Sequence, residues 1–272
     1  MALPSFTLPF GSSVLTGLIG DNADVIFWED FLCSSILTSN NVGWDVNINT
    51  TAGDASDNGS AVVQGTTENN GVATLTSATL GGGAAAVGDH VQIHPGFTVA
   101  YDAKGGLYME VKVKQSAITE QLYIGFQATS NGTGGNGAVD TNPYDGGTPP
   151  TDFIWFVVDA ADIKCRLSRY DVATSTADAA SAGALLGTLT DTGLDVTAGT
   201  YVTLAIHVAP TAATGELGAH FYVDGSLKTV LTDSLPNLGV RLTPVLVAQQ
   251  KTTSAVTVAD VDYVLVGAKR VQ

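Results

Sequence analysis

Apolar and polar residues alternate along several short stretches of the chain, as in a strand that has one face on a core. The clearest stretch is GGLYMEVKVKQ. Its apolar face would carry Leu107, Met109, Val111 and Val113. Its other face would carry Tyr108, Glu110, Lys112 and Lys114. The stretches EQLYIGFQA and YVTLAIHVA alternate in the same way, and HFYVDGSLKTVL places Asp224-Gly225 between two of them. An Asp-Gly pair at such a place predicts a β-hairpin with a type I′ turn.

One run, DFIWFVVDA, is apolar almost throughout, which is typical of a central strand or of one covered on both faces. The following KCRLSRYDV is predicted to be its hairpin partner. Counted together, the chain has about a dozen such strands, linked by turns and loops, and no stretch with a sustained helical period. This predicts an all-β fold, a two-sheet antiparallel jelly-roll β-sandwich.

The first 25 residues differ from the rest, because they are apolar without a period and contain Pro4 and Pro9. We predict a short extended N-terminal arm over residues 1–25 and the sandwich over residues 26–272. The arm either lies on its own domain or docks on a neighbouring subunit. The apolar residues expected to make the inter-subunit or capsid contact are Leu3, Phe6, Leu8, Phe10, Leu15, Leu18 and Ile19.

The charge of the chain excludes some partners. The formal net charge is −15, and the first basic residue, Lys104, follows ten acidic ones. A phosphate backbone or an anionic membrane surface would be repelled, so neither nucleic acid nor membrane is an expected partner. Charged residues make up only 14% of the chain, against about a quarter in ordinary domains. Either hydroxyls and amides solvate the surface, or much of it is buried against other subunits.

Paired carboxylates of the kind that retaining glycosidases use are not evident in the sequence. Such enzymes hold two carboxyl groups about 5 Å apart, which glutamates or aspartates two positions apart on one strand would supply. None of the five glutamates has a carboxylate two or four positions away. Asp260 and Asp262 have that spacing and are expected to form an outward polar face of the last strand, whereas Glu29 and Asp30 point to opposite faces. We therefore expect no catalytic residue and no enzymatic activity.

Metal and cofactor sites are also not expected. His90 and His94 share one face of a strand but lack a third zinc ligand beyond Asp89, and His207 and His220 are expected to be cross-strand neighbours. Two loops have calcium-like oxygen clusters without a full binding pattern. They contain Asp54, Asp57 and Asn58, and Asp140, Asn142, Asp145 and Asp152.

The remaining candidates are the cysteines and the aromatic residues of a sugar site. Cys33 and Cys165 are expected to be buried thiols, although one disulfide between them stays open. Tyr144 and Trp155 are the aromatic candidates for binding a sugar, and the apolar strand around Trp155 favours a place in the core.

Several of these segments resemble the concanavalin A-like lectin and glucanase jelly rolls: FWEDFL, LYMEVKVK, LYIGFQ, YVTLAIHV, HFYVDG and VDYVLV. The resemblance covers residues 26 to 272 and implies that the last strand pairs near the first. Because it combines an apolar N-terminal arm with a low content of charged residues, the chain also resembles capsid decoration (cement) and fibre-type proteins of tailed bacteriophages.

This second resemblance implies a virion structural protein, a non-enzymatic cement made in the host cytoplasm. It would bind the major capsid protein on the outer capsid surface as a homo-oligomer, with a trimer expected. The alternative is a carbohydrate-binding, lectin-like or receptor-binding fibre module, with a glycan as partner. A third reading is a glycoside hydrolase or lyase with a non-standard site.

Overall fold

Sixteen β-strands, and no helix, make up the part of the chain that the structure, a computed structural model, describes. That part comprises residues 25–29, 31, 44–49, 61–64, 71–77, 90–95, 97–116, 121–128, 152–170, 184–249 and 257–268. The strands form two antiparallel sheets of eight, so the predicted all-β, two-sheet sandwich is confirmed. Two strands of only three and four residues account for part of the excess over the predicted dozen, because so short a run shows no clear period.

Sheet A contains the last strand of the chain at its centre. In order across the sheet, its strands are β14 (Ser226–Leu231), β13 (Leu217–Val223), β12 (Val202–Pro210), β6 (Leu107–Gln115), β16 (Thr257–Ala268), β4 (Ala73–Ser77) and β3 (Ala61–Gln64). The first strand, β1 (Val25–Glu29), also pairs with β16, antiparallel. The pairing of the first and last strands that the resemblance implied is therefore confirmed.

Sheet B contains the long apolar run. In order across the sheet, its strands are β10 (Ala184–Leu186), β9 (Asp162–Tyr170), β8 (Phe153–Asp159), β7 (Gln121–Ala128), β15 (Leu242–Gln249), β5 (His90–Pro95) and β2 (Trp44–Asn49). An eighth strand, β11 (Thr190–Asp195), pairs with β9. As predicted, β9 is the hairpin partner of β8, and β8 lies inside the sheet.

The main core lies between the two sheets and is built from alternate residues of each strand. The four apolar residues predicted for one face of β6 are all in it. Residues from β7 and β12 join them, among them Leu122, Ile124, Phe126, Leu204, Ile206 and Val208. Phe156 of sheet B meets Phe221 of sheet A edge to face, with ring centroids 5.0 Å apart. Burial of these side chains drives the two sheets together.

Asp224 and Gly225 join β13 to β14 as the sequence predicted. Both residues have positive φ, 48° and 73° respectively, which is the signature of a type I′ turn. Within the described residues no helix is long or apolar enough to cross a membrane.

The turn should be sensitive to a side chain at its second position. We expect Gly225→Ala to lower the free energy of unfolding by about 1–2 kcal/mol, because a Cβ disfavours the left-handed conformation. Urea unfolding monitored by circular dichroism measures this. Gly267→Ala is the matched control, since its Cβ would meet the Cβ of Tyr108 at an ordinary 3.7 Å. Equal stability of the Gly225 variant and the parent would contradict the assigned turn.

Candidate functional site

The outer face of sheet B carries a second apolar cluster, separate from the core between the sheets. It comprises Tyr123, Phe153, Trp155, Val157, Val245 and Val247, and we refer to it as the aromatic platform. These residues come from β7, β8 and β15, at the positions that alternate with the core residues. Because both sets are apolar on β8, its sequence shows no period of two. Of the two predicted alternatives, a central strand or one covered on both faces, both hold, because β8 lies inside the sheet and its residues are buried on both faces.

Aromatic rings crowd the centre of the platform. The rings of Phe153 and Trp155 are stacked, with centroids 3.8 Å apart and planes 11° from parallel. The ring of Tyr123 lies 5.3 Å from that of Trp155, tilted by 58°. Gly125 lies opposite both Trp155 and Val245 in the sheet register. A Cβ at Gly125 would come within 2.0 Å of the Ile154 carbonyl oxygen, so no side chain fits at this position. Only backbone therefore lies between Trp155 and Val245.

Polar groups without hydrogen-bond partners border the platform. Within the described residues, neither side-chain amide atom of Gln92 or Gln127 has a partner, and the same holds for Trp155 Nε1 and Thr243 Oγ1. All four side chains are buried, both glutamines completely. Buried polar groups are normally hydrogen-bonded, and an unsatisfied one costs about 1–3 kcal/mol. Donors and acceptors for a polar ligand are therefore concentrated around an aromatic surface.

The register places these polar residues around the rings. Gln127 lies between Thr243 and Phe153, which are its neighbours on the two flanking strands. Gln92 lies opposite Val247, which in turn lies opposite Tyr123. Directly opposite residues have Cβ atoms about 5 Å apart, so the platform and its polar border form one continuous buried layer on the outer side of sheet B.

At one end of the platform the polar groups are paired with each other. The Tyr123 hydroxyl donates to Gln121 Oε1 at 3.0 Å, and Gln121 Nε2 donates to Asp159 Oδ1 at 3.2 Å. Lys164 Nζ lies 3.7 Å from Asp159 Oδ2 and 2.8 Å from Asp162 Oδ2. The hydrogen bond to Asp162 is the largest of the effects that raise the pKa of Lys164. This chain of contacts fixes the Tyr123 ring from its hydroxyl end.

The outer face of sheet A contains a buried carboxyl group. Glu110 is 4% exposed and accepts hydrogen bonds from the hydroxyls of Tyr108 and Tyr263, the latter at 2.7 Å. The sequence predicted Tyr108 and Glu110 on this face, and the structure places them there but buried rather than open to water. Burial, together with Glu110, raises the pKa of Tyr263.

The histidines and aspartates of interest lie on the same outer face of sheet A. His207 and His220 are directly opposite in the register, with ring centroids 6.1 Å apart, so their predicted pairing is confirmed. Burial lowers the pKa of His220. Asp260 and Asp262 form the predicted polar face of the last strand. Asp260 lies 3.2 Å from Lys114 Nζ, and Asp262 lies 2.6 Å from Lys112 Nζ.

Other predicted sites have mixed outcomes. The seven arm residues, Tyr144 and Cys33 lie outside the described residues, as do all the calcium-like ligands except Asp152, which is buried. Cys165 is a buried free thiol, as expected. Burial raises its pKa. Among the residues described, no three His, Cys, Asp or Glu side chains gather as a metal site.

The expected place of Trp155 in a buried core is confirmed, and the core in question is the second cluster. The residue is buried, but it faces away from the core between the sheets. Gln92, Gln127 and Thr243 were not anticipated as site residues. In the sequence, each of them is only a polar residue between core residues. An ordinary solvent-exposed strand face has the same pattern.

Comparison with solved structures confirms the fold. The chain is similar to a Bacillus licheniformis β-glucanase, with 15% identity, a TM-score of 0.53, and coverage of 90% of this chain and 98% of the other. It is also similar to LamAcat from Zobellia galactanivorans, with 15% identity, a TM-score of 0.55, and 89% and 96% coverage. An endo-β-1,4-glucuronan lyase from Trichoderma reesei gives 13% identity, a TM-score of 0.55, and 89% and 95% coverage. No protein-family model and no curated protein sequence matches the chain.

These neighbours correct the expectation that the chain is not an enzyme. That expectation rested on the spacing of carboxylates along single strands, and it is wrong as an exclusion, because a β-glucanase and a glucuronan lyase carry this fold. At such low identity the likeness shows the fold alone. No catalytic residue is carried over from them.

The Tyr263–Glu110 hydrogen bond should contribute to stability. We expect Tyr263→Phe to lower the free energy of unfolding by about 1–3 kcal/mol at neutral pH, because a buried acceptor loses its donor. Urea unfolding measures this, with Tyr222→Phe as a half-buried control. The raised pKa means that the fold favours the neutral phenol, so its contribution is complete below about pH 10, the ordinary pKa of tyrosine, and is lost progressively as the pH rises above that value. Stability should fall less steeply above pH 10 in Tyr263→Phe, and identical slopes would contradict this.

Proposed function

We propose that the protein binds a glycan on the aromatic platform of sheet B. The observation that carries the proposal is the ring of buried, unpaired polar groups around stacked aromatic side chains. A sugar has an apolar face that packs on an aromatic ring and hydroxyl groups that both donate and accept hydrogen bonds. The fold neighbours named above include enzymes whose names specify glycans, which is consistent with this use of the fold.

Each polar group of the border matches a sugar hydroxyl. The amides of Gln92 and Gln127 offer donors and acceptors, Trp155 Nε1 offers a donor, and Thr243 Oγ1 offers both. Because these groups lack partners in the described part of the chain, a ligand that satisfies them gains hydrogen bonds without breaking existing ones. The platform side chains are at most 2% exposed, so binding requires the surface above them to open. We therefore expect slow association.

Trp155→Ala should abolish glycan binding, since it removes both the central ring and its donor. A glycan array, followed by calorimetry on the best ligand, measures this, and we expect at least a tenfold loss of affinity, about 1.4 kcal/mol. The same samples should be assayed for turnover of the bound glycans. Tyr222→Ala, on the outer face of sheet A, is the control.

A second substitution keeps this test valid if Trp155→Ala does not fold. Gln127→Leu should weaken glycan binding and yet leave the unliganded chain as stable or more stable, because it removes two buried unpaired atoms. A structural role for Gln127 would instead make this variant less stable. No binding to any glycan by the parent would overturn the proposal.

A place on the outer surface of a bacteriophage capsid stays a second proposal. It rests on the apolar residues 1–25, the acidic balance and the low charge content of the chain. These are sequence features, and the described residues do not include the arm. The expected partners are a second copy of the chain and the major capsid protein. A glycan-binding sandwich on a virion surface is compatible with both proposals.

Deletion of residues 1–20 should abolish capsid binding or oligomerisation and leave the sandwich folded. Burial of several large apolar side chains contributes about 1.5–3 kcal/mol each, which offsets much of the cost of ordering the segment, about 1–2 kcal/mol per residue. Light scattering after size exclusion and co-sedimentation with empty capsids measure the two effects. Unchanged capsid occupancy would contradict the role of the arm.

A further inference from the structure

Two of the four histidines of the chain lie side by side on the outer face of sheet A. His207 and His220 are directly opposite in the pairing of β12 with β13. Their ring centroids are 6.1 Å apart, and the ring planes are tilted by 46°. Both side chains are half-buried, so the pair is open to an ion in solution, unlike the aromatic platform of sheet B.

The two nitrogens of the His220 ring have different surroundings. Burial lowers the pKa of His220, and a hydrogen bond with the backbone of Ala209 acts in the opposite direction. A hydrogen bond that favours the protonated ring is one that the ring donates. Among the described residues, Nε2 of His220 is buried without a hydrogen-bond partner. Nδ1 is therefore the donor, and Nε2 carries an unshared lone pair.

This arrangement is the one that metal-binding histidines have. A histidine that binds a metal through one nitrogen normally donates the N–H of the other to a backbone carbonyl or a carboxylate, which fixes the tautomer. In His220 the backbone of Ala209 takes that place. A buried acceptor that meets neither a donor nor a metal destabilises the fold, so an ion at Nε2 would remove an existing cost.

The distance between the two rings suits a shared ion. Zn²⁺ lies about 2.0–2.1 Å from each imidazole nitrogen that binds it, so the centroids of two rings that share an ion lie roughly 5–6 Å apart. The 6.1 Å between His207 and His220 closes with a small rotation of the rings about χ2, which is a broad torsion. His207 has two nitrogens, so it can bind an ion through one and donate a hydrogen bond through the other.

The charge of the chain and the type of ligand define the class of ion. The net charge of −15 attracts cations at long range. Imidazole suits Zn²⁺, Cu²⁺ and Ni²⁺, whereas Mg²⁺ and Ca²⁺ prefer oxygen ligands. Because no three His, Cys, Asp or Glu side chains gather in the described part of the chain, water molecules would complete the coordination.

We propose that His207 and His220 bind one divalent transition-metal ion, Zn²⁺ or Cu²⁺, between β12 and β13. The ion links two neighbouring strands near the β14 edge of sheet A. It stabilises the folded chain, because the unfolded chain does not hold the two rings together. The site lies on the opposite side of the sandwich from the aromatic platform and does not depend on glycan binding.

Calorimetric titration of the full chain, without an affinity tag, with zinc chloride and with copper sulfate tests this. We expect one ion per chain. His207→Gln and His220→Gln should each weaken binding at least about tenfold, because one imidazole is lost from the ion. His94→Gln is the matched control, since His94 lies on β5 of sheet B, and it should leave the affinity unchanged. Magnesium chloride should not bind at these histidines.

Urea unfolding provides a second readout. Zinc should raise the urea midpoint of the parent and of His94→Gln, and it should not raise that of His207→Gln or His220→Gln.

Three results would overturn the proposal. They are no binding of either ion by the parent, binding that both His207→Gln and His220→Gln retain, and binding that only one of these two variants loses, since the ion would then not be shared. If a variant does not fold, NMR of the parent decides. Zinc must shift the ring signals of both His207 and His220, and an unshifted ring contradicts the shared site.

Discussion

A β-strand presents alternate side chains to opposite faces, and in the middle of sheet B both faces are buried. On β8, Ile154, Phe156 and Val158 meet sheet A, while Phe153, Trp155 and Val157 form the outer platform. Polar groups on that outer face are therefore cut off from bulk water, as the unpaired amides of Gln92 and Gln127 show. The stability of the sheet and the chemistry of the proposed site both depend on this double burial.

Sheet A differs in how the buried polar group on its outer face is paired. Its outer face also buries a polar group, Glu110, but two tyrosine hydroxyls donate to it, and the lysines farther along β6 pair with Asp260 and Asp262. A polar cluster whose hydrogen bonds are all made contributes to stability and offers little to a ligand. Within the described residues, sheet A also has buried atoms without a hydrogen-bond partner, at Gln115 and at Nε2 of His220. In sheet B such groups border an aromatic cluster, which is why the candidate site is assigned there.

The sequence predicted features that depend on neighbours along the chain. The alternation of β6, the turn at Asp224 and Gly225, and the double burial of β8 are all local patterns. It did not predict the outward position of Trp155, because a period of two carries no information where both faces are apolar. Nor did it predict that Gln92 and Gln127 border one platform, because their strands are joined only through β15. The exclusion of enzymatic activity failed because carboxylate spacing on one strand tests only one kind of site.

The unpaired groups also bear on why such a surface would persist. At about 1–3 kcal/mol for each unsatisfied buried group, the amides of Gln92 and Gln127 with Trp155 Nε1 and Thr243 Oγ1 together cost an amount comparable to the net stability of a domain, about 5–15 kcal/mol. Leucine or valine at these positions would remove that cost without changing the strand. A ligand that binds only the folded chain would offset it, since binding adds to the free energy of unfolding. The polar border therefore makes physical sense as part of a binding surface and poor sense as part of a core.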